Sequence, residues 1–150
     1  MHKLLTSITS GLTFLLLSLN ISFSQDLICE DFLEGTFIGT TPEFPGVKWK
    51  IVRNDNYQVE SILEIPNKYL EMGYPIDTIY AKIEKLDDCT FRFEYDQNKM
   101  KNPDFFESVN ENGGIHLRIE GIEKNCFTYF SRCKYDNKEI IYRGELCKEL

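Results

Sequence analysis

The final part of the chain, residues 114–147, carries the pattern that most restricts the fold. Apolar and polar residues alternate there in three runs, separated by two short segments of turn-forming residues. The first run places Ile115, Leu117 and Ile119 on one face, with polar side chains between them. A period of two is typical of a strand with one buried face, so the pattern predicts three consecutive antiparallel strands.

The lengths of the two turns determine how these three strands pair. A three-residue loop at 123–125 and a tight turn at Asp136 and Asn137 keep the apolar faces together in both hairpins. A shift of one residue would move every apolar side chain to the other face. The second hairpin then places Cys126 directly opposite Cys147, and opposed strand residues lie about 4.5–5.5 Å apart, within reach of a disulfide. We therefore predict a Cys126–Cys147 bridge.

The same register defines a row on the outer face of the three strands, formed by Arg118, Phe130 and Arg143. A guanidinium group over an exposed aromatic ring contributes roughly 0.5–1 kcal/mol. We interpret the row first as a local stabiliser, because scattered exposed apolar residues are normal. The alternative is a contact surface for a ligand or a partner, since aromatic residues and arginine are enriched at interfaces.

Five further runs with strand character precede this segment. They span 32–40, 47–53, 57–65, 76–85 and 89–96. Eight short strands joined mostly by short turns predict an all-β antiparallel up-and-down meander, closed or nearly closed into a barrel, lipocalin-like in outline. Two longer connections, 67–75 and 97–112, are expected to be loops with at most two helical turns. A charged face on nearly every strand argues against an outer-membrane barrel.

The fourth and fifth strands are expected to form a hairpin around a three-residue loop at 86–88. This loop pairs Ala81 with Phe93 and Ile83 with Phe91. Both pairs are apolar, so the hairpin is predicted to direct them into the barrel.

The first 24 residues have the composition of a secretory signal peptide. A short positive start containing Lys3 precedes an apolar core at 12–21, and small residues follow where a cut would fall. The apolar core is short for a membrane span, so an uncleaved anchor is the less favoured alternative. We expect a free mature chain, residues 25–150, that folds as one domain and is secreted or periplasmic.

The mature chain is acidic. The full sequence has 17 basic and 24 acidic residues and a formal net charge of −7, and removal of Lys3 brings the charge to −8. Because basic residues are not clustered, the composition argues against nucleic acid and anionic membrane surfaces as partners.

All five cysteines lie in the mature part. In an exported protein they are first interpreted as disulfides, and two bridges with one odd thiol is the simplest arrangement. The register places Cys133 on the inner face between Ile115 and Ile140. It is therefore expected to be a buried, unreactive cysteine or a disulfide partner.

No residue pattern in the chain is typical of a catalytic, cofactor or metal site. His116 is the one histidine of the mature chain, and the register directs it outward beside Arg132. Phosphate-binding loops, nucleophile elbows and paired-histidine motifs are absent from the sequence. Acidic and amide clusters such as Asp87 and Asp88 lack the spacing of a calcium loop and fit turns. We expect neither a cofactor nor a metal.

Several short segments resemble a group of small secreted β-rich bacterial proteins of uncharacterised function. They are CEDFLEGTF at 29–37, IVR at 51–53, QVE at 58–60, DCTF at 88–91, the hairpin at 115–130 and GEL at 144–146. The resemblance implies a bridge between Cys29 and Cys89, which would leave Cys133 free. It implies no activity.

The leading hypothesis is a non-enzymatic binding module for a small apolar ligand at the barrel mouth or for a protein partner. The small-molecule version is weakened by seven aromatic side chains that could fill an eight-stranded interior without leaving a cavity. These are Trp49, Phe91, Phe93, Tyr95, Phe127, Tyr129 and Tyr142.

Two alternatives remain open. One is a structural or inhibitory protein that acts through its surface. The other is a hydrolytic or thiol-dependent enzyme, which we consider the least favoured. The enzyme hypothesis predicts that Arg53, Gln58, Glu60 or His116 converge in one cleft.

Overall fold

The computed structural model describes residues 27–101 and 103–149. The strands are β1 (Gly35–Thr40), β2 (Lys48–Asn54), β3 (Tyr57–Glu64), β4 (Ile79–Lys85), β5 (Thr90–Tyr95), β6 (Ile115–Glu123), β7 (Cys126–Tyr135) and β8 (Lys138–Lys148). Helices α1 (Asn67–Glu71) and α2 (Pro103–Glu111) and two 3-10 helices (Cys29–Leu33 and Gln97–Lys99) complete the described elements. The predicted signal peptide, residues 1–24, lies outside the described residues.

The eight strands form a closed barrel. Each strand pairs antiparallel with its neighbours in the chain, and β1 also pairs with β8, with Phe37 opposite Lys148 and Thr40 opposite Glu145. Closure gives every strand two hydrogen-bonded neighbours. The predicted all-β, eight-stranded meander is therefore confirmed, and the barrel is closed.

The predicted pairing of β7 with β8 is confirmed along its whole length, from Cys126 opposite Cys147 to Tyr135 opposite Lys138. The Cys126–Cys147 disulfide is present. Asp136 and Asn137 form the connecting turn, and both have positive φ, 47° and 59°. A two-residue turn of this kind matches the twist of the flanking strands, and Asp and Asn tolerate it best among non-glycine residues.

The predicted three-residue loop between β6 and β7 is wrong. The register agrees with the prediction from His116 to Ile119, but a bulge follows, so Gly121 pairs with Thr128 and Glu123 with Cys126. The turn therefore has two residues. The bulge inserts one extra residue into β6, which the alternation of apolar residues does not reveal.

The predicted register of the β4–β5 hairpin is also wrong, by two positions. Ile83 pairs with Phe93 and Lys85 with Phe91. The turn is displaced along the chain: β5 begins at Thr90, whose carbonyl accepts hydrogen bonds from the backbone amides of Leu86 and Asp87. A shift of two residues keeps every side chain on its face, so the hydrophobic pattern cannot distinguish the two registers.

The start of the first predicted strand is not extended. Residues Cys29–Leu33 form a 3-10 helix, and β1 begins only at Gly35, whose φ of 124° is readily adopted by glycine alone. A disulfide joins Cys29 to Cys89 in the β4–β5 connection, as the resemblance implied. Cys133 is the free cysteine.

The barrel has two different ends. Because the strands alternate in direction, the β1–β2, β3–β4, β5–β6 and β7–β8 connections lie at one end, which we call the open end. Helices α1 and α2 belong to these connections. The other end, the closed end, has three short turns and the 3-10 helix Cys29–Leu33.

Aromatic side chains fill the closed half of the barrel. Phe32, Phe37, Phe91 and Phe127 are completely buried, and the rings of Phe32 and Phe91 stack with centroids 4.8 Å apart. Phe32 comes from the 3-10 helix, which therefore plugs the closed end. The barrel interior is a packed core in this half only.

Candidate functional site: a cavity in the open half of the barrel

The open half of the barrel contains a cavity of about 530 Å³. Its walls include Trp49, Glu60, Phe93, Tyr95, Tyr129 and Tyr142. The aromatic residues that could have filled the interior therefore do not fill this half of the barrel. Cavities of roughly 300–1,000 Å³ are the usual size for small-molecule sites.

Aromatic residues of the open-end connections surround one side of the cavity mouth. The ring of Phe44, from the β1–β2 connection, lies 5.1 Å from that of Tyr74 and 6.4 Å from that of Trp49. Tyr69 of α1 and Tyr142 of β8 complete this cluster. Tilted and edge-on ring contacts of this kind favour a defined rim.

Helix α2 forms the other side of the mouth. Its residue Phe106 packs edge-on against Tyr95 at 4.6 Å, and Val109 is completely buried. The amide group of Asn110 accepts a hydrogen bond from the backbone N–H of Tyr95 and donates one to its carbonyl. This side chain thus replaces a strand partner and fixes the helix to the end of β5.

Arg53 connects the bottom of the cavity to the 3-10 helix at the closed end of the barrel. Its guanidinium carbon lies 3.7 Å from the centre of the Phe32 ring, and its Nη1 donates to the carbonyl of Phe32 at 2.9 Å. The side chain is 4% exposed. The charge is therefore satisfied by contacts within the plug and does not line the cavity.

A hydrogen-bonded chain leads from Arg53 to the cavity wall. Arg53 Nε donates to Gln58 Oε1 at 2.8 Å, and Gln58 Nε2 donates to Glu60 Oε2 at 3.1 Å. The three residues occupy inward positions on β2 and β3, where Arg53 pairs with Gln58. Gln58 and Glu60 line the cavity, and Glu60 is partly exposed to it.

The pKa values of these groups follow their surroundings. Burial raises the pKa of Glu60 to about 7, and the charge of Arg53 opposes that shift. Burial also lowers the pKa of Arg53, to about 9, against the attraction of Glu60, so the guanidinium stays charged at neutral pH. A carboxyl group that titrates near neutral pH in a cavity is typical of functional sites.

Gly144 shapes the wall opposite. It pairs with Tyr129, and an added Cβ would lie 2.5 Å from the Tyr129 hydroxyl oxygen and 2.7 Å from the Thr40 carbonyl oxygen. Only a residue without a side chain allows the tyrosine to lie across β8 here. Burial raises the pKa of Tyr129, which therefore stays neutral.

Ser131 and Cys133 are small side chains of the cavity wall, one with a hydroxyl group and the other with a thiol. Ser131 is 7% exposed, and its hydroxyl lies 3.5 Å from the carbonyl oxygen of Tyr142. Cys133 pairs with Ile140, as predicted, and is partly exposed. Burial raises the pKa of its thiol, which disfavours the reactive thiolate.

The predicted surface row lies apart from this cavity. Arg118 pairs with Phe130 and Phe130 with Arg143, as expected, and the guanidinium of Arg143 lies 5.1 Å from the centre of the Phe130 ring. Arg143 also lies 3.8 Å from the carboxylate of Glu120. A contact role for this row stays a prediction.

The structure brings together three of the four residues named for the enzyme hypothesis. Arg53, Gln58 and Glu60 form the hydrogen-bonded chain, whereas His116 is on the outer face, paired with Arg92 and Arg132. The sequence signal was a run of polar residues at inward positions of two adjacent strands. It becomes visible only after the inner face of β3 is known.

One group of potential metal ligands occurs in the described part of the chain, formed by Cys126, Glu145 and Cys147. The two sulfur atoms are joined in a disulfide, so neither is available as a thiolate ligand. The two sulfur atoms are therefore close together because they form the disulfide.

Comparisons with family models, with curated proteins and with solved structures find no match for this chain. In the described residues, no helix has the length and apolar character needed to cross a membrane. The two disulfides indicate an oxidising compartment, either extracellular or periplasmic.

Proposed function

We propose that the protein is a non-enzymatic carrier or sensor that binds a small, mainly apolar molecule inside the barrel. The observation that carries this proposal is the cavity of about 530 Å³ in the open half. Its wall combines many apolar and aromatic surfaces with a few polar groups, which is the usual composition of a small-molecule site.

The division of the barrel into two halves supports binding. The closed half is packed by phenylalanines and anchored by the Cys29–Cys89 bridge, so it forms a rigid base. The open half keeps its aromatic residues at the wall and rim. A cavity held open by a rigid scaffold reduces the cost of ordering on binding.

Binding is favoured over catalysis because the polar chain is engaged in structure. The Arg53 guanidinium donates to Gln58 and to the Phe32 carbonyl, and His116 lies outside the barrel. A catalytic constellation needs groups that are positioned toward a substrate and supported by neighbours. Among the residues that the structure describes, Glu60 is the carboxyl group facing the cavity whose pKa is strongly raised.

We further propose that the protein works outside the cytoplasm, in the secreted or periplasmic space. Support comes from the two disulfides and from the signal-like sequence at 1–24. A carrier of apolar molecules is useful where water separates their source from their destination.

Titration with N-phenyl-1-naphthylamine tests the binding proposal. This neutral apolar dye fluoresces strongly out of water, and the single tryptophan, Trp49, lines the cavity. We expect saturable dye fluorescence with a dissociation constant in the micromolar range and matching quenching of Trp49 by energy transfer.

Two matched variants locate the bound dye. Ser131→Phe places a ring in the cavity and is expected to weaken binding at least tenfold. Thr128→Phe adds the same ring to the same strand on the exposed outer face and should leave binding within twofold of the native protein. Absence of saturable binding, or equal binding by the two variants, would refute the proposal.

A further inference from the structure

The charged groups of the cavity differ in how they are paired. At the mouth, Asp77 and Lys101 form an ion pair with 2.5 Å between Oδ1 and Nζ, so these two charges offset each other. Arg132 is exposed at the same end. Glu60 lies on the inner wall, where its carboxylate accepts a hydrogen bond from the uncharged amide of Gln58.

Glu60 retains capacity for another hydrogen-bond donor. An ionised carboxylate accepts about four hydrogen bonds, and Gln58 supplies one of them. Arg53 does not contact the carboxylate, because Gln58 lies between the two groups and the guanidinium is bound to the plug. A donor inside the cavity can therefore reach Glu60 without displacing an existing ion pair.

The aromatic wall favours a cation in the same cavity. Trp49, Phe93, Tyr95 and Tyr142 contribute rings to the lining. Aromatic faces attract ammonium groups, and the attraction increases when the cation is removed from water. An anionic head group would instead meet the Glu60 carboxylate, with the Arg53 charge held behind Gln58.

We propose that the cavity selects molecules with an apolar body and a protonated amine, and that the Glu60 carboxylate holds the amine. This inference rests on the proposed binding function and specifies the chemical class of the ligand. A charge-assisted hydrogen bond to a partly desolvated carboxylate is stronger than a neutral one, which gives the preference for amines.

Binding of an amine is then linked to pH. The titratable groups within electrostatic range of Glu60 are Arg53 on β2, Tyr74 before β4, Tyr95 on β5 and Tyr129 on β7. Arg53 stays charged, and burial raises the pKa of all three tyrosines, so among these groups only Glu60 titrates between pH 5 and 8. Amine affinity should fall roughly tenfold for each pH unit below the Glu60 pKa of about 7.

Three indole compounds with similar apolar bodies test the selection by calorimetry at pH 8. They are tryptamine, a cation; tryptophol, which is neutral; and indole-3-acetate, an anion. The native protein is expected to bind tryptamine at least tenfold more tightly than tryptophol, and indole-3-acetate most weakly. Glu60→Gln should reduce the tryptamine advantage to less than threefold while changing tryptophol affinity less than threefold.

Glu64→Gln is the matched control, because Glu64 is an exposed residue at the end of the same strand. It should leave the tryptamine advantage intact. A preference that survives Glu60→Gln, or that Glu64→Gln reduces equally, would overturn the assignment of Glu60.

A second measurement needs no variant. Between pH 6 and pH 7, tryptamine should displace protons from the native protein, measured by calorimetry in two buffers of different ionisation enthalpy. Zero proton release would overturn the inference. Binding of N-phenyl-1-naphthylamine and tryptophol without an amine preference would refute this inference alone, whereas failure of all these compounds to bind would refute the proposed function as well.

Discussion

Glu60 shows how a single side chain in the wall of the cavity can oppose folding. Its carboxyl group is removed from bulk water and lacks a direct cationic partner, so its charged form is disfavoured. The folded state therefore binds a proton more tightly at this position than the unfolded chain does. The free energy of unfolding is therefore lower at pH values at which the Glu60 carboxyl group is ionised.

The sign of the pH dependence follows directly. Glu60 has its pKa raised to about 7, so its favourable contribution is present below the unfolded value near 4.5 and is lost as the pH rises through 7. Relative to Glu60→Gln, the native protein should therefore lose on the order of 2 kcal/mol of unfolding free energy between pH 5 and pH 8. Urea denaturation followed by Trp49 fluorescence at both pH values measures this difference.

Glu64→Gln again provides the comparison. Its ion pair with Lys48 is exposed, with 3.0 Å between Nζ and Oε2, and contributes little to stability. The difference between this variant and the native protein should not change with pH by more than about 0.5 kcal/mol. If the difference in unfolding free energy between Glu60→Gln and the native protein were equally independent of pH, the raised pKa of Glu60 would be contradicted.

At the scale of elements, the hairpins differ in how well the sequence determines them. The β7–β8 register was predictable because Asp136 and Asn137 fit a two-residue turn and because alternation excludes a one-residue shift. The β4–β5 register was not, since a two-residue shift leaves the same side chains inside. The bulge before Gly121 was also hidden, because one extra residue leaves no compositional mark.

The 3-10 plug was missed for a related reason. The run FLEGTFIGT at 32–40 contains the strand-favouring residues Phe, Thr and Ile, so the sequence favours an extended strand from Phe32 onward. The deciding interactions are long-range, namely the Arg53 contact with Phe32 and the bridge from Cys29 to Cys89. Such tertiary contacts override local preference.

The two disulfides should contribute unequally to stability. They close separations of 21 residues for Cys126–Cys147 and 60 residues for Cys29–Cys89. The chain-entropy relation gives about 3 kcal/mol for the first and about 4 kcal/mol for the second. Double alanine variants of each pair, compared by urea denaturation with the native protein, measure both contributions.

Cys133→Ala is the control for loss of a sulfur atom without loss of a bridge. We expect Cys133→Ala to reduce the free energy of unfolding by less than either double variant does. Replacing Cys29 and Cys89 should also reduce the free energy of binding of N-phenyl-1-naphthylamine by less than it reduces the free energy of unfolding. The reason is that the 3-10 helix Cys29–Leu33 lies at the end opposite the cavity mouth. A larger loss of unfolding free energy on removal of Cys126–Cys147 than on removal of Cys29–Cys89 would contradict this order.

At the scale of the whole molecule, the division into a packed half and a hollow half is the feature that the sequence did not reveal. The seven aromatic residues predicted to point inward do line the core or the cavity, although Phe37 of β1 was not among them. Whether such residues meet across the barrel depends on strand tilt and closure. Phe91 and Phe127 both contact Phe32 in the closed half, whereas Trp49 and Tyr129 line the cavity. Chain topology explains part of the difference between the two halves, because the 3-10 helix that carries Phe32 enters the barrel at the closed end.

The most direct test of binding inside the barrel uses the protein's own free thiol. Cys133 lines the cavity, and the other four cysteines are in disulfides. Its alkylation by iodoacetamide is measured by mass spectrometry at pH 8.5, with and without saturating N-phenyl-1-naphthylamine, and glutathione in the same solution serves as an exposed reference thiol. We predict that the dye slows alkylation of Cys133 at least fivefold and leaves that of glutathione unchanged. An unchanged Cys133 rate at saturation would contradict binding within the barrel.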